Sequence, residues 1–127
     1  MTKILVIEDE ESVRENILEL LDAEGFEPLA AKNGSIGVFL ARAELPELIL
    51  CDVRMPELDG YGVLTALQAE PLTAKIPFIF LTAKAAKTDL SLGLELGAKA
   101  YVTKPFTLVE LLKVIKQALL PSQSHTA

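Results

Sequence analysis

Three runs of consecutive apolar residues constrain this chain more than any other feature: Ile4-Leu5-Val6-Ile7, Leu48-Ile49-Leu50-Cys51 and Phe78-Ile79-Phe80-Leu81. A strand with one wet face alternates apolar and polar residues, so a run that is apolar at every position has both faces covered. Each run is too short to be a core helix, and each is followed by a polar residue and then by a segment with helical spacing. Sheets covered on both faces are built from parallel strands joined by helices.

The segments between the runs supply those helices. Val13, Ile17, Leu20 and Leu21 recur at helical spacing and stop at Gly25. Ser35 to Glu44 is entered through Asn33-Gly34 and closed before Pro46. Gly60 to Glu70 carries Val63, Leu64 and Leu67 on one side, and Lys84 to Leu96 ends at Gly97. Leu108, Leu111, Leu112, Ile115 and Leu119 trace the last helix. Pro28 to Ala31 and Ala100 to Thr103 are weaker strand candidates. The order is strand then helix, five times. With the weak strands at the edges, it predicts a doubly wound α/β fold. Its five-stranded parallel sheet, in the order 2-1-3-4-5, forms the centre of a flavodoxin-like three-layer sandwich. The length of 127 residues suits one domain, and the polar stretch Ser122 to Ala127 has nothing to pack against.

Several function classes recede. The net charge of -6 argues against a nucleic-acid-binding face. Cys51 is the only cysteine, so there is no intrachain disulfide and no all-cysteine metal site, and its apolar neighbours predict a buried, inert thiol. No apolar stretch approaches the ~18 residues of a membrane span. The chain enters its first strand without a signal-peptide pattern, which makes the expected location cytoplasmic, without membrane insertion. No phosphate-binding glycine loop follows the first strand; Glu8-Asp9-Glu10 occupies that place.

In a parallel sheet every strand ends on the same side, where ligands bind. Glu8 and Asp9 follow the first strand, Asp52 the third, Thr82 the fourth, and Lys104-Pro105 the fifth. Crowded carboxylates repel, and a hard divalent cation such as Mg²⁺ relieves them with oxygen ligands. The only histidine is His125, in the tail, which disfavours zinc. Lys104 and Thr82 add a mobile cation and a directional hydroxyl, the groups that neutralise a phosphoryl group in transfer. A carboxylate is also a competent nucleophile for an aspartyl phosphate. Taken singly, each residue has a plainer reading. Asp9 could cap the next helix, Thr82 could do the same, and Lys104 could be a surface lysine. The joint pattern favours the chemical one.

The motifs "ILVIEDE", "LILCDVRMPELDG", "FIFLTA" and "GAKAYVTKPF" occur in this order, and from Lys3 to about Leu120 the chain resembles the receiver domain of two-component response regulators. The resemblance implies a receiver domain over residues 1–121 and a flexible tail over 122–127. It implies Asp52 as phosphoacceptor and Mg²⁺ held by Asp9, Asp52, the backbone carbonyl of Arg54 and, through water, Glu8. Thr82 and Lys104 would contact the phosphoryl group, with Tyr101 as the aromatic switch coupled to Thr82. Lys104-Pro105 would be cis. A histidine kinase or phosphotransfer protein would be the donor, and an output protein or domain outside this chain the receiver of the signal. The chain would be a switch that phosphorylates and slowly dephosphorylates itself, not a metabolic enzyme.

Departures from the family pattern set finer expectations. Glu8 stands where many members have aspartate, a common replacement. Arg54 and Lys84, two residues beyond Asp52 and Thr82, are expected to influence how long the acyl phosphate survives. "GAKAY" lacks the paired aspartates of many transcription-factor receivers, although "GLELG" resembles that group. In the helix before it, Leu92 and Leu96 lie away from the stripe of Ala86, Leu90, Gly93, Leu94 and Gly97. That makes them a candidate surface for the output partner or for a second copy in a homodimer. Two other classes stay open: a binding module that works without phosphorylation, and a phosphotransfer or hydrolytic enzyme with an aspartyl-phosphate intermediate.

Overall fold

The computed structural model describes residues 1–83 and 94–120. Its strands are β1 (Lys3–Ile7), β2 (Glu27–Ala31), β3 (Leu48–Asp52), β4 (Phe78–Thr82) and β5 (Ala100–Thr103). Among the described residues the helices are α1 (Glu11–Ala23), α2 (Gly34–Glu44), α3 (Gly60–Gln68), a short α4 (Pro71–Ala74) and α5 (Leu108–Leu119). The strands form one parallel sheet in the order β2-β1-β3-β4-β5, as the apolar runs predict.

The continuous runs are apolar because successive residues enter different layers. Leu5, Ile7, Ile49, Cys51, Phe78 and Phe80 pack with Val38 and Ala41 of α2 and Val63, Leu64 and Leu67 of α3. Ile4, Val6, Leu48, Leu50, Ile79 and Leu81 pack with Ile17 and Leu21 of α1 and Leu111 and Ile115 of α5. Each fully buried aliphatic side chain stabilises the fold by about 1.5–3 kcal/mol. The weak runs are the edges, with only Ala31 of β2 and Val102 of β5 buried.

Three local features depart from the sequence pattern. First, β3 and β4 continue through Asp52 and Thr82, which pair with Leu81 and Thr103 and are themselves buried. Second, α3 stops at Gln68 and the chain restarts as α4, with Pro71 in its first turn and the Thr73 hydroxyl donating to the Leu67 carbonyl at 2.7 Å. Four residues are too few to write a helical period.

The third departure concerns the neighbourhood of the proposed partner surface. Leu92 and Lys84, with the rest of residues 84–93, lie outside the described residues, as does the tail from residue 121. Leu96 is half-buried and packs against the layer beneath α2 and α3, whereas Leu94 is 47% exposed. Residues 94–95 are helical, and residues two apart on a helix lie about 200° apart, so with Leu96 inward Leu94 faces out, the reverse of the stripe read from the sequence.

Candidate functional site

Four adjacent strands deliver their terminal polar residues to one edge of the sheet. β1 leads into Glu8 and Asp9, β3 ends on Asp52, β4 ends on Thr82, and β5 leads into Lys104. The Lys104 amide donates to the Thr82 carbonyl, and the Lys104-Pro105 bond is cis. The capping box at the start of α5, Thr107 with Glu110, anchors the segment that follows.

Lys104 is the electrostatic centre. Its Nζ lies 2.7 Å from Glu8 Oε1 and 3.5 Å from Asp52 Oδ2. Burial lowers the lysine's pKa, but the hydrogen bond to Glu8 and the charge of Asp52 outweigh this and raise it overall, so it stays cationic. Glu8 is fully buried, and burial pushes its carboxyl up to about 7 although the Lys104 bond pulls the other way. Burial also raises Asp52, against the charge of Lys104 and a hydrogen bond from the Arg54 backbone. Burial lifts the Cys51 thiol well above its usual range, which makes it inert at neutral pH.

The site fits a hard divalent cation. Glu8, Asp9 and Asp52 each bring a carboxylate oxygen, and these lie within 4.8 Å of one another. The donors are all oxygen, as Mg²⁺ requires. Asp9 is exposed and makes no hydrogen bond to another described residue. Its plainer role as helix cap does not hold, because the residue at the N-cap of α1 is Glu10, without a side-chain cap bond.

The other expected residues surround this core. The Arg54 side chain is exposed and, with Val53, Met55, Pro56, Asp59, Tyr61 and Thr82, lines a cleft of about 520 Å³. Thr82 and Tyr101 face a cavity of about 10 Å³, which also touches Tyr61, Phe80 and Leu94. Tyr101 is half-buried against the core.

Two residues at the site are not evident from the sequence. Tyr61 meets Phe80 edge-on at 5.2 Å and borders both cavities. Arg14 Nη1 donates to the Glu8 carbonyl at 2.9 Å. The available signal for Arg14 is its place as the lone arginine in the first turns of an otherwise acidic helix.

The family described as "Response regulator receiver domain" matches residues 4–116. The probable transcriptional regulator ycf27 of Porphyra purpurea is 43% identical over 117 residues, covering 92% of this chain and 47% of that protein. The chain thus spans about half the length of such regulators. Protein PilH of Pseudomonas aeruginosa is 37% identical over 94% of this chain and 98% of its own length. Among solved structures, the receiver domain of the sensor histidine kinase PA1611 of Pseudomonas aeruginosa, with a magnesium ion coordinated in its active-site cleft, superposes with a TM-score of 0.86. It is 30% identical, covering 93% of this chain and 97% of that one.

Proposed function

The chain belongs to the response regulator receiver domains of two-component systems, and from that premise we propose that Asp52 accepts the phosphoryl group with Mg²⁺ bound beside it. The observation that carries this is Lys104 Nζ lying between Glu8 and Asp52 at the edge of the sheet, with Asp9 completing the acidic group.

Each residue has a part that follows from its position. Ionised Asp52 attacks phosphorus through a carboxylate oxygen; an O–P bond forms as the donor's bond to phosphorus breaks, and the electron pair leaves with the donor group. Lys104 moves from the Glu8 and Asp52 carboxylates toward the new phosphoryl oxygens, and the Thr82 hydroxyl donates to one of them. Asp9, Asp52, the Arg54 carbonyl and, through water, Glu8 would hold Mg²⁺, which when bound supplies charge neutralisation at the transferring group. Movement of Thr82 changes the cavity it shares with Tyr101 and so couples the site to the face around Leu94. Self-hydrolysis resets the switch.

The donor in this scheme is a histidine kinase or phosphotransfer protein. The recipient is an output protein or domain beyond the described residues. The location is cytoplasmic; no helix among the described residues is long and apolar enough to cross a membrane.

Intact-protein mass after incubation with acetyl phosphate and Mg²⁺ tests the scheme. The expected result is a phosphate-sized adduct that requires Mg²⁺ and is absent from Asp52→Ala. A folded wild type that takes no label from acetyl phosphate or from a kinase would leave a phosphorylation-independent binding module.

A further inference from the structure

Glu8 is held at every polar atom. Its N–H donates to the Ala31 carbonyl at 3.0 Å, Oε1 accepts from Lys104 at 2.7 Å, and Oε2 accepts from the Glu10 N–H at 3.1 Å. The remaining atom, the carbonyl oxygen, accepts from Arg14 Nη1 at 2.9 Å. That carbonyl belongs to the peptide joining Glu8 to Asp9. Its orientation therefore fixes the plane from which the Asp9 side chain projects. The turn has no side-chain cap on α1 to do this, and Asp9 itself is not tethered by a hydrogen bond to any described residue. Arg14 is half-buried on the first turns of α1, which packs on β1. Its guanidinium thus ties a packed helix to the peptide that presents the exposed acid.

We propose that Arg14 is a positioning residue of the metal site, holding the Glu8–Asp9 peptide so that Asp9 meets Glu8 and Asp52 around one cation. This rests on the assignment of those three acids as the Mg²⁺ site. Groups that orient metal ligands from outside typically change metal affinity by 10–100-fold when removed.

The sign of the effect separates positioning from bulk electrostatics. A cation beside a metal site repels the incoming metal, so deleting a charge that does nothing else tightens Mg²⁺ binding. Deleting a charge that orients a ligand weakens it.

The test is calorimetric titration of the unphosphorylated full chain with Mg²⁺ at pH 8, with urea unfolding as the control for folding. The variants are Arg14→Met, Arg14→Lys and, as a remote charge deletion, Arg42→Met, whose arginine is exposed and paired with Glu70. Arg14→Met is expected to raise the Kd about tenfold. Arg14→Lys, which keeps the charge and one donor on a different reach, should fall between it and wild type, and Arg42→Met should leave the Kd within twofold. A Kd for Arg14→Met equal to or tighter than wild type overturns the proposal. Should that variant fail to fold, Arg14→Lys decides, with a weaker Kd in support and an unchanged one against. A wild type that binds no Mg²⁺ overturns the metal assignment itself, and the proposal with it.

Discussion

Glu8 sets the charge of the site, and its burial makes that charge depend on pH near neutrality. The carboxyl titrates at about 7 in the fold against 4.5 for an ordinary glutamate. Between these values the folded chain holds a proton that the unfolded chain has lost. Stability from this group is therefore fully present below about pH 4.5, falls as the pH rises, and is gone above about pH 7. Without metal, urea unfolding should give a less stable protein at pH 8 than at pH 5, with Glu8 supplying on the order of 2 kcal/mol of the difference. Glu8→Gln should flatten the profile, though not wholly, since burial raises Asp52 in the same direction. An unchanged slope in Glu8→Gln would place the pH dependence elsewhere. At this scale the sequence is informative about residues that end strands, because strand ends in a parallel sheet are forced together: Glu8, Asp9 and Asp52 lie as one group with Lys104 between Glu8 and Asp52, and Thr82 ends the neighbouring strand. Arg14 and Tyr61 were not legible. Their relation to the site runs through a backbone carbonyl and an edge-on ring contact, and neither interaction leaves a mark in spacing or composition.

The start of α3 shows how closely an element can be tied to a reactive group. The Gly60 amide donates to the Val53 carbonyl at 2.8 Å, and a Cβ at Gly60 would stand 2.4 Å from the Asp52 backbone oxygen and 2.9 Å from Val53 Cα. Both neighbours are backbone, so neither can swing aside. Gly60→Ala should displace the end of β3, destabilise the fold by about 1–3 kcal/mol, and slow acetyl-phosphate labelling of Asp52 in protein that is still folded. Urea midpoints and intact mass measure the two effects, and wild-type values for both would mean that α3 is free to shift away from Asp52. Elements were legible in proportion to their burial. The three central strands announce themselves because each is covered on both faces, and the edges because they are not. What escaped was local: the Thr73 hydroxyl bond that ties α4 back to the end of α3, and the rotational phase near residues 94–96, where Leu94 is exposed and Leu96 packs inward. Periodicity averages over several turns and does not resolve where a helix ends within one.

For the whole molecule, the sheet order places four strand ends side by side, so a metal bound there joins β1 to β3 across the middle of the sheet. The apolar runs and weak edges made that order legible, while the larger assembly was not, since relatives such as ycf27 are about twice as long as this chain and PilH is matched over 98% of its length. Mg²⁺ should therefore stabilise the entire domain, because the unfolded chain does not hold the three acids together. The gain follows the metal concentration relative to the Kd, about 2.7 kcal/mol at a hundredfold excess. Protons compete for the same oxygens. With Glu8 titrating at about 7 and burial raising Asp52 as well, proton competition at the site is stronger at pH 5 than at pH 8. Calorimetric scans with and without Mg²⁺ should show a Tm increase of several degrees at pH 8 that shrinks sharply at pH 5 and is much reduced at both in Asp9→Asn. A shift of equal size at the two pH values would assign the stabilisation to general ion effects. A shift that survives in Asp9→Asn would move the metal away from the exposed acid, toward the buried pair that Lys104 already bridges.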